Sequence, residues 1–498
     1  MRKDVNTPIL TKKLRSYGQS DFYPLHMPGH KRRVFGQMPE EVLQMDITEI
    51  DGFDNLHQPE GILQELQEHA AALYGAEETF YLVNGSTCGI LSAISAAVPE
   101  GGHILIARNC HKSVYHACYL RNLVISYLYP ELLEAYDICE PITCRQVQEA
   151  LEREPDIDAV LVVSPTYEGR IADIEKIAGV VHAKGIPLIV DEAHGAHLGF
   201  AEGFAQNSCR LGADLVIHSV HKTLPAMTQT ALLHVNGDLI DRNKLRRFLH
   251  IYQSSSPSYV LMASIENALW QVQIQGREMF DKFIHRWEKM CDMLSTMRNL
   301  SILPTGEKQD IGKLLVSVKK TGLSGQQLYG MLLEEFHIQL EMAAPSYVLA
   351  MFTVGDDEDG YVRMTEALLE IDARLEKGSC EIASDKYAQQ PVHIRQSVNV
   401  DQPDVAGQPA ADLKPVSIPF FKAWDKETQW CELSECCGRY AGEFINLYPP
   451  GTPMVVPGER IDSGLITRIA DYLRKGLTVQ GIRQVSGGIY LSVITLES

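Results

Sequence analysis

Short apolar runs rich in β-branched residues alternate with segments of helical periodicity between about residues 60 and 235. The runs lie at five places: 79–83, 103–107, 159–163, 186–190 and 213–217. One intervening segment carries apolar residues at the spacing of one helical face: Ile174, Ile177, Ala178 and Val181. Strands that are apolar on both faces and separated by helices are typical of parallel sheets, because helices cover both faces of such a sheet. The pattern therefore predicts an α/β domain built on a mostly parallel sheet.

The rest of the chain divides into segments of different composition. Helical periodicity with a possible strand at 313–318 dominates from about 260 to 375 and predicts a smaller α+β domain. Residues rich in Gln, Pro and Ala then indicate a linker, after which globular composition resumes. We expect an N-terminal segment (1–59), a large domain (60–284), a small α+β domain (285–385), a linker (386–415) and a C-terminal α+β domain (416–498).

Composition excludes several classes of protein. Hydrophobic residues make up 45% of the 498 residues and charged residues 22%, which excludes disordered and collagen-like chains. The formal net charge of −19 disfavours a nucleic-acid partner, because an acidic surface repels phosphates, and it favours a small cationic ligand. No apolar run could span a membrane or serve as a signal peptide. The 11 cysteines show no C-x-x-C spacing, so we expect a cytoplasmic protein without a metal site.

Polar residues follow each predicted strand at its C-terminal end. They are Asn84-Gly85-Ser86-Thr87, Arg108-Asn109-Cys110-His111, Ser164-Pro165-Thr166-Tyr167, Asp191-Glu192-Ala193-His194 and His218-Ser219-Val220-His221-Lys222. In an open parallel sheet, ligands bind beyond the carboxyl ends of the strands. These five segments therefore predict one wall of a ligand site.

The segment Gly85-Ser86-Thr87 lies between a strand and a helix, where backbone N–H groups and hydroxyls can bind a phosphate. Ser and Thr are equally common as helix caps, so the segment alone leaves both interpretations open. The chain contains no G-x-x-x-x-G-K-[ST] loop. Without such a loop, the helicase-like string Asp191-Glu192-Ala193-His194 does not indicate a helicase.

Lys222 follows a strand directly and could act as a Schiff-base amine, although an exposed surface lysine is the ordinary alternative. Asp191 could face a pyridine nitrogen or cap a helix, and His111 could stack on a ring or be a buried core histidine. A lysine, an aspartate, a phosphate-binding segment and an imidazole are together the groups that a pyridoxal-phosphate site requires. Their joint occurrence is much rarer by chance than any single member.

At these motifs the sequence resembles the bacterial ornithine/lysine/arginine decarboxylases, pyridoxal-phosphate enzymes of fold type I, the aspartate-aminotransferase-like fold. The matching motifs are MPGHKR (27–32), DITEIDGFDNLHQPEG (46–61), FYLVNGSTCG (80–89), RNCHKS (108–113), SPTYEG (164–169), DEAHGAHLGF (191–200), SVHKTLPAMTQTALLH (219–234) and YPPGTPMVVPGE (448–459). Eight motifs in order are very specific. The chain is most similar to the shorter members, which lack an N-terminal wing domain.

The resemblance implies roles for individual residues. Lys222 would hold the cofactor covalently, Asp191 would pair with the ring nitrogen, and His111 would stack on the ring. The phosphate-binding residues would be Gly85, Ser86, Thr87, Ser219 and His221. His194, at a position where larger relatives often carry Trp, would also contact the cofactor.

Other positions follow the family less closely or reach beyond one subunit. Thr166 would approach the ring hydroxyl, whereas Cys88 and Ile90 differ from the small residue and the Asn found there in some relatives. The loop 254–259 resembles one that enters the site of the neighbouring subunit, which implies a homodimer or a higher homo-oligomer.

The implied reaction is decarboxylation of a basic amino acid, giving CO2 and a polyamine precursor. Arginine is favoured, with lysine or ornithine next. A desolvated cationic side chain needs a carboxylate partner, for which Glu168 and Glu459 are candidates. The alternatives are an aminotransferase or lyase on the same scaffold, or a non-catalytic relative.

Overall fold

The computed structural model describes residues 8–34, 37–306, 308–377, 418–447, 452–485 and 487–495. A seven-stranded sheet forms the centre of the large domain. The strands of this domain are β1 (Glu78–Leu82), β2 (His103–Ala107), β3 (Val124–Leu128), β4 (Leu132–Leu133), β5 (Ile138–Cys139), β6 (Ala159–Val163), β7 (Leu188–Asp191), β8 (Leu215–His218) and β9 (Ala231–Val235). The sheet order is β1-β9-β8-β7-β6-β2-β3, and β9 runs opposite to the other six strands. Strands β4 and β5 form a separate pair.

Helices cover both faces of this sheet. They are α1 (Ile9–Gly18), α2 (Glu40–Met45), α3 (Ile62–Tyr74), α4 (Gly85–Ala97), α5 (Lys112–Leu120), α6 (Cys144–Arg153), α7 (Ile174–His182), α8 (Val220–Thr223), α9 (Arg242–Tyr252) and α10 (Tyr259–Leu294). Successive residues of β2 face opposite sides, so that Ile104 and Ile106 enter one apolar core and Leu105 enters the other. Two cores on opposite faces explain why the strands are apolar at nearly every position.

The N-terminal helix α1 is anchored by a buried carboxylate. Pro8 provides no side-chain cap, and the Glu266 carboxylate of α10 instead accepts the backbone N–H groups of Leu10 and Thr11, each at 2.9 Å. A carboxylate at this end of a helix satisfies otherwise unpaired donors and complements the helix dipole.

The small domain is a four-stranded antiparallel sheet covered by helices. Its elements are β10 (Ser301–Ile302), β11 (Lys313–Ser317), α11 (Gly325–Glu334), β12 (Met342–Ala343), β13 (Tyr347–Met351) and α12 (Glu358–Glu376), with the sheet order β10-β11-β13-β12. Helix α10 begins in the large domain and ends in the core of the small domain, where it contributes Phe283 and Trp287. The expected boundary at 284/285 therefore falls inside one continuous helix.

The C-terminal domain contains two small antiparallel sheets. Its elements are α13 (Phe420–Ala423), β14 (Thr428–Glu432), a 3₁₀ helix (Leu433–Glu435), β15 (Ile445–Leu447), β16 (Pro453–Val455), α14 (Ser463–Arg474), β17 (Val479–Gln480), β18 (Ile482–Val485) and β19 (Gly488–Ile494). The sheet orders are β14-β19-β18 and β16-β15-β17. Phe420, Phe444 and Val456 pack into the large-domain core. The expected linker 386–415 and the first four residues of the motif 448–459 lie outside the described residues.

The predicted fold class is confirmed, and all five predicted strands are present with ends displaced by at most two residues. The sequence pattern missed β3 and β9. Strand β3 is an edge strand with mostly half-buried side chains, so it lacks a continuous apolar run. Strand β9 overlaps the end of the segment 219–234, whose sequence predicts a site motif. Within the described part of the chain, no helix is long and apolar enough to cross a membrane.

Candidate active site

Three adjacent parallel strands bring the predicted site residues together. Strands β6, β7 and β8 are neighbours, and their C-terminal ends place Thr166, Asp191 and Lys222 at the same edge of the sheet. Strand β2, next to β6, delivers His111 to this edge. The first turn of α4 joins them, because the backbone N–H of Gly85 donates to the carbonyl of Gln229 at 2.9 Å, just before β9.

Lys222 lies in the short helix α8 directly after β8 and is half-buried. Its Nζ is 2.9 Å from Nε2 of His194. Burial lowers the pKa of the Lys222 ammonium, and the negative charges of Asp191 and Glu341 oppose this effect. Because its pKa lies below the ordinary value, the amine is more readily available as a nucleophile.

Asp191 ends β7 and is only 5% exposed. One carboxylate oxygen accepts the backbone N–H of Ala193 at 3.2 Å. Burial raises the pKa of Asp191, and the charge of Lys222 opposes that rise. A buried carboxylate at this position is stabilised further by any cationic partner that enters the site.

His111 is the N-cap of α5, and its Nδ1 accepts the backbone N–H of Ser113 at 3.2 Å. The ring proton of neutral His111 therefore lies on Nε2. His111 keeps some access to solvent. Partial desolvation lowers its pKa to about 4, and the positive charges of Lys222 and Lys112 add to this effect. A neutral ring held in this way can lie flat against a planar ligand.

The predicted phosphate-binding residues surround the start of α4 and α8. Gly85 has φ +74, and a Cβ there would meet nothing within 4 Å, so backbone conformation rather than crowding requires the glycine. Ser86 and Thr87 lie in the first turn of α4, whose N-cap Asn84 makes no side-chain cap. Ser219 Oγ is buried and has no hydrogen-bond partner in the described structure. An unpaired buried hydroxyl next to an uncapped helix start fits an absent anion.

The ring of His221 is also fixed in this region. Its Nδ1 donates to the carbonyl of Thr230 at 2.8 Å, and burial lowers the pKa of the ring. With Nδ1 used in this way, Nε2 can donate to an anion only when the ring is protonated, a state that a phosphate dianion favours.

His194 contacts a second lysine that sequence reasoning missed. Lys313, the first residue of β11, is 3% exposed, and its Nζ is 2.8 Å from Nδ1 of His194. Burial lowers the pKa of Lys313 to about 8. The Tyr167 ring packs edge-on against His194 with centroids 4.8 Å apart. The only signal in the sequence was a lysine at the start of an otherwise apolar strand.

The two candidate carboxylates for the substrate differ in their surroundings. Glu168 accepts a hydrogen bond from the Tyr347 hydroxyl at 3.0 Å, and burial raises its pKa. Glu459 accepts from Arg108 Nη2 and from the backbone N–H of Val456, each at 2.9 Å. The expectation for Glu459 is therefore wrong, because its carboxylate is neutralised within the chain and joins the C-terminal domain to β2.

Three further residues singled out in the sequence are buried in the protein interior: Thr166, Cys88 and Ile90. Thr166 Oγ1 accepts the backbone N–H of Arg170 at 3.1 Å, and Thr166 is 2% exposed. Cys88 and Ile90 belong to α4 and are buried in the core, and the Cys88 thiol donates to the carbonyl of Gly85 at 3.1 Å. The two departures from the family pattern therefore leave the first turn of α4 intact.

A chain of buried polar side chains lies behind Asp191. Ser208 Oγ donates to Glu192 at 2.7 Å, and the Glu192 carboxyl is 2.7 Å from His218 Nε2. His218 Nδ1 is 3.0 Å from His234 Nε2, and His234 Nδ1 is 2.7 Å from Thr79 Oγ1. Burial raises the pKa of Glu192 to about 8 and lowers that of His218 to about 3. The consistent arrangement is a neutral carboxyl that donates to His218, which donates to His234, which donates to Thr79.

Comparisons with known proteins agree over the whole chain. A family model described as "Orn/Lys/Arg decarboxylase, major domain" matches residues 7–313, and "Orn/Lys/Arg decarboxylase, C-terminal domain" matches residues 406–481. The arginine decarboxylase of Bacillus subtilis (strain 168) is 31% identical over 494 residues, which are 95% of each chain. The arginine decarboxylase of Halalkalibacterium halodurans is 30% identical over 495 residues, covering 97% of this chain and 96% of the relative.

A solved structure shows the same fold. The crystal structure of a lysine decarboxylase of Francisella novicida covers 99% of this chain and 82% of its own, with a TM-score of 0.80 and 20% sequence identity. The likeness extends over the large, small and C-terminal domains.

Proposed function

The chain belongs to the Orn/Lys/Arg decarboxylase family, and on that premise we propose that it is a cytoplasmic, pyridoxal-phosphate-dependent arginine decarboxylase. The α-carboxylate of arginine leaves as CO2, a proton takes its place on the α carbon, and the product is agmatine, a polyamine precursor. The convergence of Lys222, Asp191 and His111 at one sheet edge carries the cofactor assignment, and membership of the family carries decarboxylation as the reaction type. The choice of arginine is supported by the names of two relatives of nearly equal length.

The residues at this edge fit the cofactor. The partnerless Ser219 hydroxyl and the first turn of α4, at Gly85, would bind the phosphate. His221 would donate to the same phosphate through Nε2 once its ring is protonated. Asp191 would keep a proton on the pyridine nitrogen. When bound, the cofactor supplies an acceptor for the electron pair that remains when CO2 departs.

Lys222 and His111 would hold the cofactor in different ways. The Lys222 amine would hold the cofactor covalently, and its lowered pKa favours the unprotonated form that can form this bond. The neutral His111 ring would pack against the cofactor, because the Ser113 N–H fixes its orientation. Both groups are delivered by strand ends of one sheet, which fixes their separation.

The guanidinium of arginine needs a carboxylate in the same site. Glu341 lies before β12, accepts a hydrogen bond from the Tyr167 hydroxyl, and is close enough to Lys222 and Lys313 to raise the pKa of both. Each carboxylate accepts one tyrosine hydrogen bond, but Glu341 is exposed whereas Glu168 is half-buried. Glu341 is therefore the better placed of the two to receive an incoming cation.

Kinetics of the purified protein with added pyridoxal phosphate would test the assignment. We expect equimolar CO2 and agmatine from arginine, with lower kcat/KM for lysine and ornithine and no reaction with glutamate. Preference for lysine would correct the choice of substrate only. Preference for glutamate or a neutral amino acid would overturn the basic-substrate assignment, and a keto acid product would indicate an aminotransferase.

We also propose that the enzyme is a homodimer or a multiple of one. The loop 254–259 has exposed residues at Ser254–Ser256, and the resemblance to the family implies that this loop enters the site of a neighbouring subunit. Large apolar side chains of the N-terminal segment are also exposed, including Phe22 at 67% and Leu25 at 87%. Exposed apolar side chains of this size favour burial against a second copy.

Mixing two inactive variants tests the shared site. Lys222→Ala protein combined with a loop variant, Ser255→Trp, should regain partial activity when refolded together, because some sites then receive both intact parts. Wild-type protein that sediments as an active monomer at assay dilution would contradict the proposal.

A further inference from the structure

Two lysine amines contact the two ring nitrogens of one buried imidazole. Lys222 Nζ is 2.9 Å from His194 Nε2, and Lys313 Nζ is 2.8 Å from His194 Nδ1. Lys222 comes from the large domain and Lys313 from the small domain, so His194 bridges the two sides of the site. His194 itself is 7% exposed.

The hydrogen-bonding capacity of these groups restricts their protonation. A neutral imidazole has one N–H donor and one lone pair, and an ammonium has donors only. Burial and the charges of Lys313, Lys222, His111 and His221 keep the pKa of His194 well below its ordinary value, so the ring is neutral. One of the two amines must then be neutral, because it has to accept the ring N–H.

The surroundings decide which amine carries the charge. The carboxylates of Asp310, Glu168 and Glu341 favour the charged form of Lys313, whereas a positive charge on Lys222 disfavours it. Its Nζ also lies 5.9 Å from the centroid of the Tyr167 ring and 3.4 Å from the Met351 sulfur. Lys222 faces Asp191 and Glu341, and Asp191 pairs with the cofactor in the proposed holoenzyme. In the holoenzyme, where Asp191 pairs with the cofactor and Lys222 is bound to it, the charge therefore belongs on Lys313.

We propose that Lys313 is a positioning residue whose ammonium donates to Nδ1 of His194, fixes the proton of His194 on Nε2, and directs that N–H at Lys222. The inference rests on the proposed role of Lys222 as the cofactor-binding amine. If a substrate amine displaced Lys222, the Nε2–H of His194 would donate to the lone pair of the released Lys222 amine and hold that amine in place. The small domain thus acts on the reacting lysine through one histidine.

The first test uses the wild-type protein loaded with pyridoxal phosphate, without amino acid. Nitrogen NMR of protein labelled at its histidine rings should show an unprotonated Nδ1 and a protonated Nε2 for His194, with the signal identified by its loss in His194→Gln. A proton on Nδ1, or on both nitrogens, would overturn the proposal. This result does not depend on whether arginine is decarboxylated.

The second test follows the visible absorption of the Lys222-bound cofactor against pH, without amino acid. Lys313→Met should raise the midpoint by about one pH unit, because removal of an ammonium makes protonation of the nearby nitrogen easier. Lys313→Arg should keep the wild-type midpoint. The matched control is Lys319→Met, which removes an exposed lysine just beyond β11 that pairs with Asp137.

The same variants separate a positioning role from a structural one. We expect Lys313→Met to lower kcat about tenfold with little change in KM, and Lys313→Arg to recover most of the loss. A folded Lys313→Met protein with an unchanged midpoint and unchanged kcat would overturn the proposal. Loss of all arginine turnover in the wild type would instead refute the proposed function and leave the two spectroscopic tests intact.

Discussion

The large-domain side and the small-domain side of the site are built in different ways. On the large-domain side, His111, Asp191 and Lys222 each lie within a few residues of the end of a parallel strand. On the small-domain side, Lys313 begins β11 and Glu341 directly precedes β12, in an antiparallel sheet. In the proposed function, the first arrangement would fix the groups that hold the cofactor, and the second would supply the charges that set the protonation of these groups. Variants on the first side should therefore affect turnover more than variants on the second.

Lys222→Ala should give the largest effect, because it removes the amine that we propose binds the cofactor. We expect kcat to fall at least about a thousandfold while the circular dichroism spectrum and Tm stay close to wild type. Lys289→Ala, a surface lysine of α10 that pairs with Glu358, is the matched control. A decarboxylation rate close to that of the wild type in Lys222→Ala would contradict the proposal that Lys222 binds the cofactor.

Asp191→Asn should lower kcat about a hundredfold or more, because a neutral amide does not hold a proton on the pyridine nitrogen. Asp281→Asn, an exposed aspartate paired with Arg277, should have no effect. Steady-state kinetics at saturating cofactor measure the difference. Unchanged kinetics in Asp191→Asn would place the carboxylate outside the site.

Glu341→Gln should act on binding rather than on turnover, in keeping with its place on the small-domain side. We expect KM for arginine to rise about tenfold with kcat within about twofold, because a charge-assisted contact to the guanidinium is lost. Glu376→Gln, which removes one partner of a surface pair with Arg298, is the control. A fall in kcat at unchanged KM would contradict a binding role.

Glu192→Gln should give the smallest effect, on stability alone. Burial raises the pKa of the Glu192 carboxyl from its ordinary value to about 8, so the folded state binds the carboxyl proton more tightly than the unfolded state does. Stability is therefore lost as the pH rises from about 4.5 through about 8. An amide keeps the donor to His218, so Tm of the variant should decline less over this interval. If Tm fell equally with pH in the wild type and in Glu192→Gln, the Glu192 carboxyl would have no part in the pH dependence of stability.

The difference between the two sides also explains what the sequence could predict. Parallel strands place their carboxyl ends at one edge, so continuous apolar runs followed by polar residues located Asp191 and Lys222 together. Lys313 and Glu341 enter the site only through packing of one domain on another, and no periodicity in the sequence reports that packing. Glu459 carried a similar local pattern to Glu168, and only the structure shows that Arg108 already occupies its carboxylate.

The edge strand β3 shows the same limit within the fold. Strand β3 has half-buried side chains because it has one neighbour in the sheet, so its pattern is weaker than that of β6 or β7. The buried chain from Glu192 to Thr79 was equally hidden, because polar residues inside apolar strands differ from surface residues only in their three-dimensional surroundings.

The most direct measurement asks which of the two lysines beside His194 carries the cofactor. The purified protein is loaded with pyridoxal phosphate, reduced with borohydride to make the linkage permanent, digested and analysed by mass spectrometry. The account predicts one modified peptide, with the adduct on Lys222 and none on Lys313. An adduct on Lys313, or an unmodified Lys222 in protein that decarboxylates arginine, would contradict it.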